Sequence, residues 1–141
     1  KISHPEIENA FVKYTNWSSK KSHPIVIANS ETFANKLSSE KIHQGITITA
    51  GGFYGPQGRV LRLALQDNDL NSKIDSFNFN GNRITNLEME TSAIYGLSKL
   101  LGHNAVSLNA IIANRANGAF SENPSQVVAD LIKYTLEKLV D

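Results

Sequence analysis

A chain of 141 residues with 40% apolar content has material for one hydrophobic core, and that length argues for a single domain. Fourteen basic against thirteen acidic side chains leave a net charge of +1, and Lys20-Lys21 is too short for a polyanion-binding stripe, so nucleic acid is not an expected partner. With no cysteine there is neither a disulfide framework nor a thiolate metal site; no signal sequence is visible and no apolar run approaches a membrane span, so the expected location is cytoplasmic, with no membrane partner.

The chain begins Lys1-Ile2-Ser3-His4-Pro5-Glu6-Ile7, with no initiator methionine, and enters helical periodicity at once, which reads as a piece of something longer. Ile7, Ala10, Phe11 and Tyr14 recur at intervals of three and four, predicting a helix from Pro5 to about Tyr14 with Pro5 in its first turn. Asn16 to His23 is polar and serine-rich, hence loop; Asn16-Trp17-Ser18 within it is most simply a chance match to a glycosylation acceptor. Pro24-Ile25-Val26-Ile27-Ala28 is short, apolar and β-branched, which predicts a strand. Ser30 suits the N-cap of a helix carrying Phe33, Ala34 and Leu37. The alternating β-branched residues of Gly45-Ile46-Thr47-Ile48-Thr49-Ala50 predict another strand.

That strand runs into Gly51-Gly52-Phe53-Tyr54-Gly55-Pro56-Gln57-Gly58-Arg59, where four glycines and a proline make a loop. Ligands of open α/β sheets collect beyond strand ends, which favours a functional reading of these aromatics, the amide and the guanidinium; a core-edge cap with a surface ion pair is an equal alternative. Val60 to Leu65 fits a strand or a short helix. Gln66 to Gly81 reads as a polar excursion, and Asp67-Asn68-Asp69 lacks the spacing of a calcium loop.

Ile84 leads to Asn86-Leu87-Glu88-Met89-Glu90-Thr91, at the entrance of a helix whose apolar stripe is Met89, Ala93, Ile94, Leu97, Leu100 and Leu101 and whose stop is Gly102. Two carboxylates at a helix start can simply complement the positive helix end. They also suit vicinal hydroxyls, because acceptor oxygens meet donor hydroxyls, and on extended backbone residues two apart project to one side. Ala105 to Ala113 then predicts a buried strand, with Asn114-Arg115 emerging at its carboxyl end. Asn123 as cap, Pro124 in the first turn and Gln126 open the last helix, whose stripe of Val127, Val128, Leu131, Ile132, Leu136, Leu139 and Val140 is expected to pack on the sheet. Histidines at positions 4, 23, 43 and 103 show no ligand spacing, so neither a metal nor histidine catalysis is expected.

Three of these segments, Phe53-Tyr54-Gly55-Pro56-Gln57-Gly58-Arg59, Glu88-Met89-Glu90 and Ile112-Ala113-Asn114-Arg115, together resemble the uridine phosphorylase branch of the nucleoside phosphorylase family in content, order and separation. The resemblance covers about the second half of a family chain. It implies an α/β fold with a mixed central sheet flanked by helices, residues 1–141 forming the C-terminal portion of one domain. It further implies base-binding roles for Phe53, Gln57, Arg59, Ile112, Ala113 and Arg115, and ribose-binding roles for Glu88, Met89 and Glu90. The implied reaction is phosphate-dependent cleavage of a pyrimidine nucleoside, as in pyrimidine salvage, by a pentosyltransferase that needs no cofactor besides inorganic phosphate and works as a homo-oligomer, a dimer or hexamer. Purine-specific relatives and related hydrolases place an aspartate near Asn114-Arg115, and none stands here. In the family the phosphate site and a histidine lent to a neighbouring subunit lie in the N-terminal half, so the resemblance implies a missing N-terminal half as partner. It assigns no catalytic and no phosphate-binding residue to this chain. The piece by itself is then expected to be inactive; the alternative is a non-catalytic nucleoside-binding or structural fragment.

Overall fold

The computed structural model describes residues 2–114 and 117–140. At its centre β1 (Ile46–Thr49) runs parallel to β3 (Asn82–Glu88), and β3 pairs antiparallel with the two-residue β2 (Asn78–Phe79), giving a mixed sheet of order β1-β3-β2. The turn from β2 to β3 is Asn80-Gly81, with φ of 52° and 87°. Two-residue hairpins need positive φ there, and Asn-Gly adopts it at least cost.

Two helices cover one face of this sheet. α1 (Pro5–Thr15) begins with the anticipated proline and ends at Asn16 in the left-handed conformation. α3 (Leu70–Ser76) lies in the stretch expected to be a polar excursion, which is corrected here: Leu70, Ile74 and Phe77 are buried, at helical spacing, among polar neighbours that hide their periodicity. With Phe11 they form the core, against which Ile46, Ile48, Ile84 and Leu87 pack from the sheet. Phe11 meets Phe77 edge-on at 5.3 Å and Trp17 at 5.6 Å, the tilted geometries that ring quadrupoles favour. α2 (Glu31–Lys36) starts as expected, with Ser30 Oγ accepting from the Phe33 amide.

α4 (Thr91–Leu101) follows β3 directly and stops at Gly102, whose φ of 76° is the left-handed C-terminal conformation. β4 (Ala113–Asn114) and β5 (Ala119–Phe120) form a separate antiparallel ribbon, and α5 (Pro124–Val140) closes the chain. Asn123 Oδ1 accepts from the Gln126 amide, as a capping asparagine should.

Two predicted strands are absent. Pro24–Ala28 and Ala105–Ile112 join no sheet among the described residues; each is held by isolated bonds, His4 N to Val26 O at 2.9 Å and Ser30 N to Ala105 O at 2.8 Å. Their composition favours strand, but a strand exists only where a second chain segment completes the ladder. Val60 to Leu65 is neither strand nor helix. The expected burial of α5 is also corrected: no residue of it is buried, and it is tied to α2 and the following turn by Tyr134 Oη donating to Leu37 O and Ser39 Oγ and by Lys36 Nζ donating to Leu139 O. The apolar stripe of α4 is likewise exposed, Leu97 at 60% and Leu100 at 68%. No helix among the described residues is long and apolar enough to cross a membrane.

Candidate functional site

Because β1 and β3 are parallel, their carboxyl ends lie side by side, and the Ala50 amide donates to Glu88 O at 2.8 Å just where both strands stop. The loop after β1 and the carboxylates after β3 therefore emerge at the same end of the sheet. This is the position at which open α/β sheets bind ligands.

Within the loop, a single turn of 3-10 helix at Gly55–Gln57 brings the expected side chains together. Arg59 stacks on Phe53, its guanidinium carbon 3.5 Å from the ring centroid, and donates both to Phe53 O and to Gln57 Oε1, the latter at 2.8 Å. Gln57 is buried, so the bond from Arg59 sets the orientation of its amide. Phe53 and Tyr54 are half exposed and meet edge to face at 5.3 Å. Gly58 makes the compression possible: its φ is 74°, and a Cβ there would stand 2.3 Å from the Asn71 amide. The result is a half-exposed pair of aromatic rings, with one face of Phe53 covered by the Arg59 guanidinium and a buried carboxamide bonded to that cation.

Glu88 and Glu90 do different work. Both oxygens of Glu88 are occupied, one by the Thr49 hydroxyl and the other by the amides of Glu90 at 2.8 Å and Thr91 at 2.6 Å. Glu88 thereby caps α4, supplying the acceptor that the first amides of a helix lack. Burial works to raise its pKa, but the Thr49 hydroxyl and the two amides outweigh that and hold it below the ordinary glutamate value. Glu90 is exposed, as is Met89, and its carboxylate accepts from the Met89 amide at 3.2 Å. Of the pair, Glu90 is the carboxylate presented to solvent at the sheet end.

Supports that the sequence reading did not single out complete the frame. Thr49 Oγ1 donates to Glu88 and accepts from the Ser92 amide, linking β1, β3 and α4 through one hydroxyl. Thr91 Oγ1 donates to Ser107 Oγ, and the Ser107 amide donates to Tyr95 Oη at 2.7 Å, fixing the 105–113 segment against α4. Burial, opposed by the Ser107 bond and reinforced by the Glu88 charge, raises the Tyr95 pKa. The one available signal was the Ile-Thr-Ile-Thr alternation, which puts Thr47 and Thr49 on a common side of β1.

Ile112 and Ala113 are exposed; Ile112 O accepts from the Ser121 amide just before the β4–β5 ribbon, and Ala113 pairs with Phe120 within it rather than with β1 or β3. Arg115 lies outside the described residues. No cluster of three or more metal-ligating side chains occurs among the described residues.

The model of the Phosphorylase superfamily matches residues 12–140, and the chain belongs to that superfamily. Among solved structures it is similar to a nucleoside phosphorylase of Trypanosoma brucei described as showing uridine phosphorylase activity, at 27% identity and a TM-score of 0.77. That similarity covers 96% of this chain and 49% of the trypanosome chain, so the protein spans about half the length of the structure it matches. Comparison with curated protein sequences returned no significant match.

Proposed function

We propose that this chain provides the base- and ribose-binding side of a site for phosphorolysis of uridine or a related pyrimidine nucleoside. The reading rests on the Phe53–Gln57–Arg59 cluster and the exposed carboxylate of Glu90 both leaving the sheet at the end where the paired strands β1 and β3 stop. To meet the imide edge of a pyrimidine, for which a carboxamide has both a donor and an acceptor, Gln57 exchanges its bond from Arg59 and leaves its buried position, while the guanidinium offers donors to the carbonyls. As the glycosidic bond breaks, the departing base gains negative charge, so these donors act more strongly on the transition state than on the substrate. Phe53 supplies a stacking face, Met89 an apolar contact and Glu90 an acceptor for ribose hydroxyls. Glu88, committed to Thr49 and the α4 amides, holds that geometry rather than meeting the sugar through a free oxygen.

Inorganic phosphate is the co-substrate, attacking C1′ as the base leaves, and no other cofactor takes part. The protein acts in the cytoplasm as a homo-oligomer in this reading. The half-length match to the trypanosome enzyme favours one second reading, a nucleoside-binding fragment without turnover of its own.

The test is uracil release from uridine by the 141-residue chain joined with the complementary half of a phosphorylase, with and without phosphate. Phosphate-dependent release, lost in Glu90→Ala and weakened by Gln57→Ala more for uridine than for a nucleoside lacking the imide edge, is the expected outcome. Equal losses for both nucleosides would mean that Gln57 does not read the base. Saturable uridine binding without release would select the second reading.

A further inference from the structure

Two threonines on one side of β1 reach across to β3. In the parallel register Thr47 lies opposite Asn86 and Thr49 opposite Glu88, and each hydroxyl donates to the side chain it faces, Thr47 to Asn86 Oδ1 and Thr49 to Glu88 Oε1. Side chains two apart on a strand share a face, so the two bonds are consecutive rungs between the strands. The second rung stands where both strands stop, beside the bond from the Ala50 amide to Glu88 O.

That second rung does more than join two strands. Thr49 Oγ1 also accepts from the Ser92 amide at 2.9 Å, so the hydroxyl gives its hydrogen to the carboxylate and a lone pair to the start of α4. The other oxygen of Glu88 takes the amides of Glu90 and Thr91, at 2.8 Å and 2.6 Å. Three successive amides, of Glu90, Thr91 and Ser92, are therefore tied down, each by Thr49 or by the carboxylate that Thr49 holds. Glu90 lies within this tied turn, so the reach of its exposed carboxylate is set by backbone that Thr49 secures. On its other side Thr49 runs through Ala50 directly into the loop of Phe53, Gln57 and Arg59. Thr49, Ser92, Tyr54 and Arg59 line one hollow.

We infer that Thr49 is a positioning residue that fixes the carboxylate of Glu90 relative to the loop, so that an aromatic base and the vicinal hydroxyls of its sugar are recognised as one unit. A nucleoside carries its base edge and its sugar hydroxyls on a nearly rigid frame, and both are met at once only if the two groups that read them are held at one separation. Without the tie, ordering the turn from Glu88 to Ser92 would oppose binding, and the hydroxyls would lose their acceptor first. The inference deepens the nucleoside reading and rests on it for the identity of the ligand. The hold on the turn is measured without any ligand.

The experiment compares the 141-residue chain with its Thr49→Val and Thr49→Ser variants. Valine keeps the β-branched shape but neither donates nor accepts, whereas serine does both. Equilibrium binding is measured for uridine and for 2′,3′-dideoxyuridine, which lacks the vicinal hydroxyls, and amide hydrogen exchange of Glu90, Thr91 and Ser92 is followed by NMR without nucleoside. The parent chain is expected to prefer uridine by about tenfold, the order of a hydrogen bond to a charged group. Thr49→Val is expected to lose that preference while still binding the dideoxynucleoside, and to exchange the three amides severalfold faster; Thr49→Ser is expected to retain both the preference and the slow exchange. A Thr49→Val protein that keeps the preference, or that weakens both nucleosides equally, would overturn the inference, as would a Thr49→Ser protein that behaves like Thr49→Val. If the parent chain binds neither nucleoside, or both equally, the nucleoside reading fails and exchange alone decides the role of Thr49: faster exchange in Thr49→Val sustains it, and unchanged exchange overturns it.

Discussion

Thr49 and Glu88 show how a single contact decides which carboxylate is available. Because the Thr49 hydroxyl and the amides of Glu90 and Thr91 at the entrance of α4 hold both oxygens of Glu88, only Glu90 is presented at the sheet end. Replacing Glu88 by alanine removes a helix cap and is expected to cost about 1 kcal/mol, measured by urea denaturation. The pH dependence follows from the lowered pKa. Glu88 stabilises the fold fully above its ordinary value of 4.5, and that contribution is lost as the pH falls through the lower folded-state value. Thr49→Val removes a donor to the charged form and brings the folded-state value back toward 4.5, so the stability lost on acidification is expected to be smaller and to be complete at higher pH; an unchanged pH dependence would show that the hydroxyl does not stabilise the carboxylate. The importance of the glutamate pair was legible from its place at a helix entrance. Its division of labour was not, because Thr49 is 39 positions away and meets Glu88 only when β1 and β3 pair.

At the scale of elements, the loop from Gly51 to Arg59 depends on one backbone conformation. Gly58 has positive φ, which costs an alanine about 1–2 kcal/mol, and the nearby Asn71 side chain can swing aside more cheaply than the backbone can change. Gly58→Ala is therefore expected to destabilise by about that amount and to separate Gln57 from Arg59; adding Asn71→Ala is expected to restore little, because the φ penalty remains. Recovery of full stability in the double variant, followed by thermal denaturation, would make the side-chain clash the dominant cost instead. Helices with their own punctuation were readable in advance: Pro5 and Ser30 at starts, Gly102 at a stop, Asn123 and Pro124 at the last entrance. α3 is hidden because its buried residues Leu70 and Ile74, with Phe77 just after it, sit among polar neighbours, and 24–28 and 105–112 do not form the expected strands because strand composition does not report whether a partner segment is present.

For the whole molecule, the area it leaves exposed governs its behaviour. Since the slope of stability against denaturant follows the surface newly exposed on unfolding, the chain is expected to show a urea slope clearly below that of compact domains of 141 residues. A slope typical of a closed domain would mean that α4 and α5 cover their apolar faces in solution without help. The residues along the chain were enough to point to the family and to most of the helices, because motif chemistry, caps and amphipathic period are properties of neighbours along the chain. Only the tertiary structure decided that the loop and the carboxylates share a sheet end, that Glu88 is a cap while Glu90 is presented, and that the stripes of α4 and α5 stay bare, because pairing and burial depend on which distant segments meet.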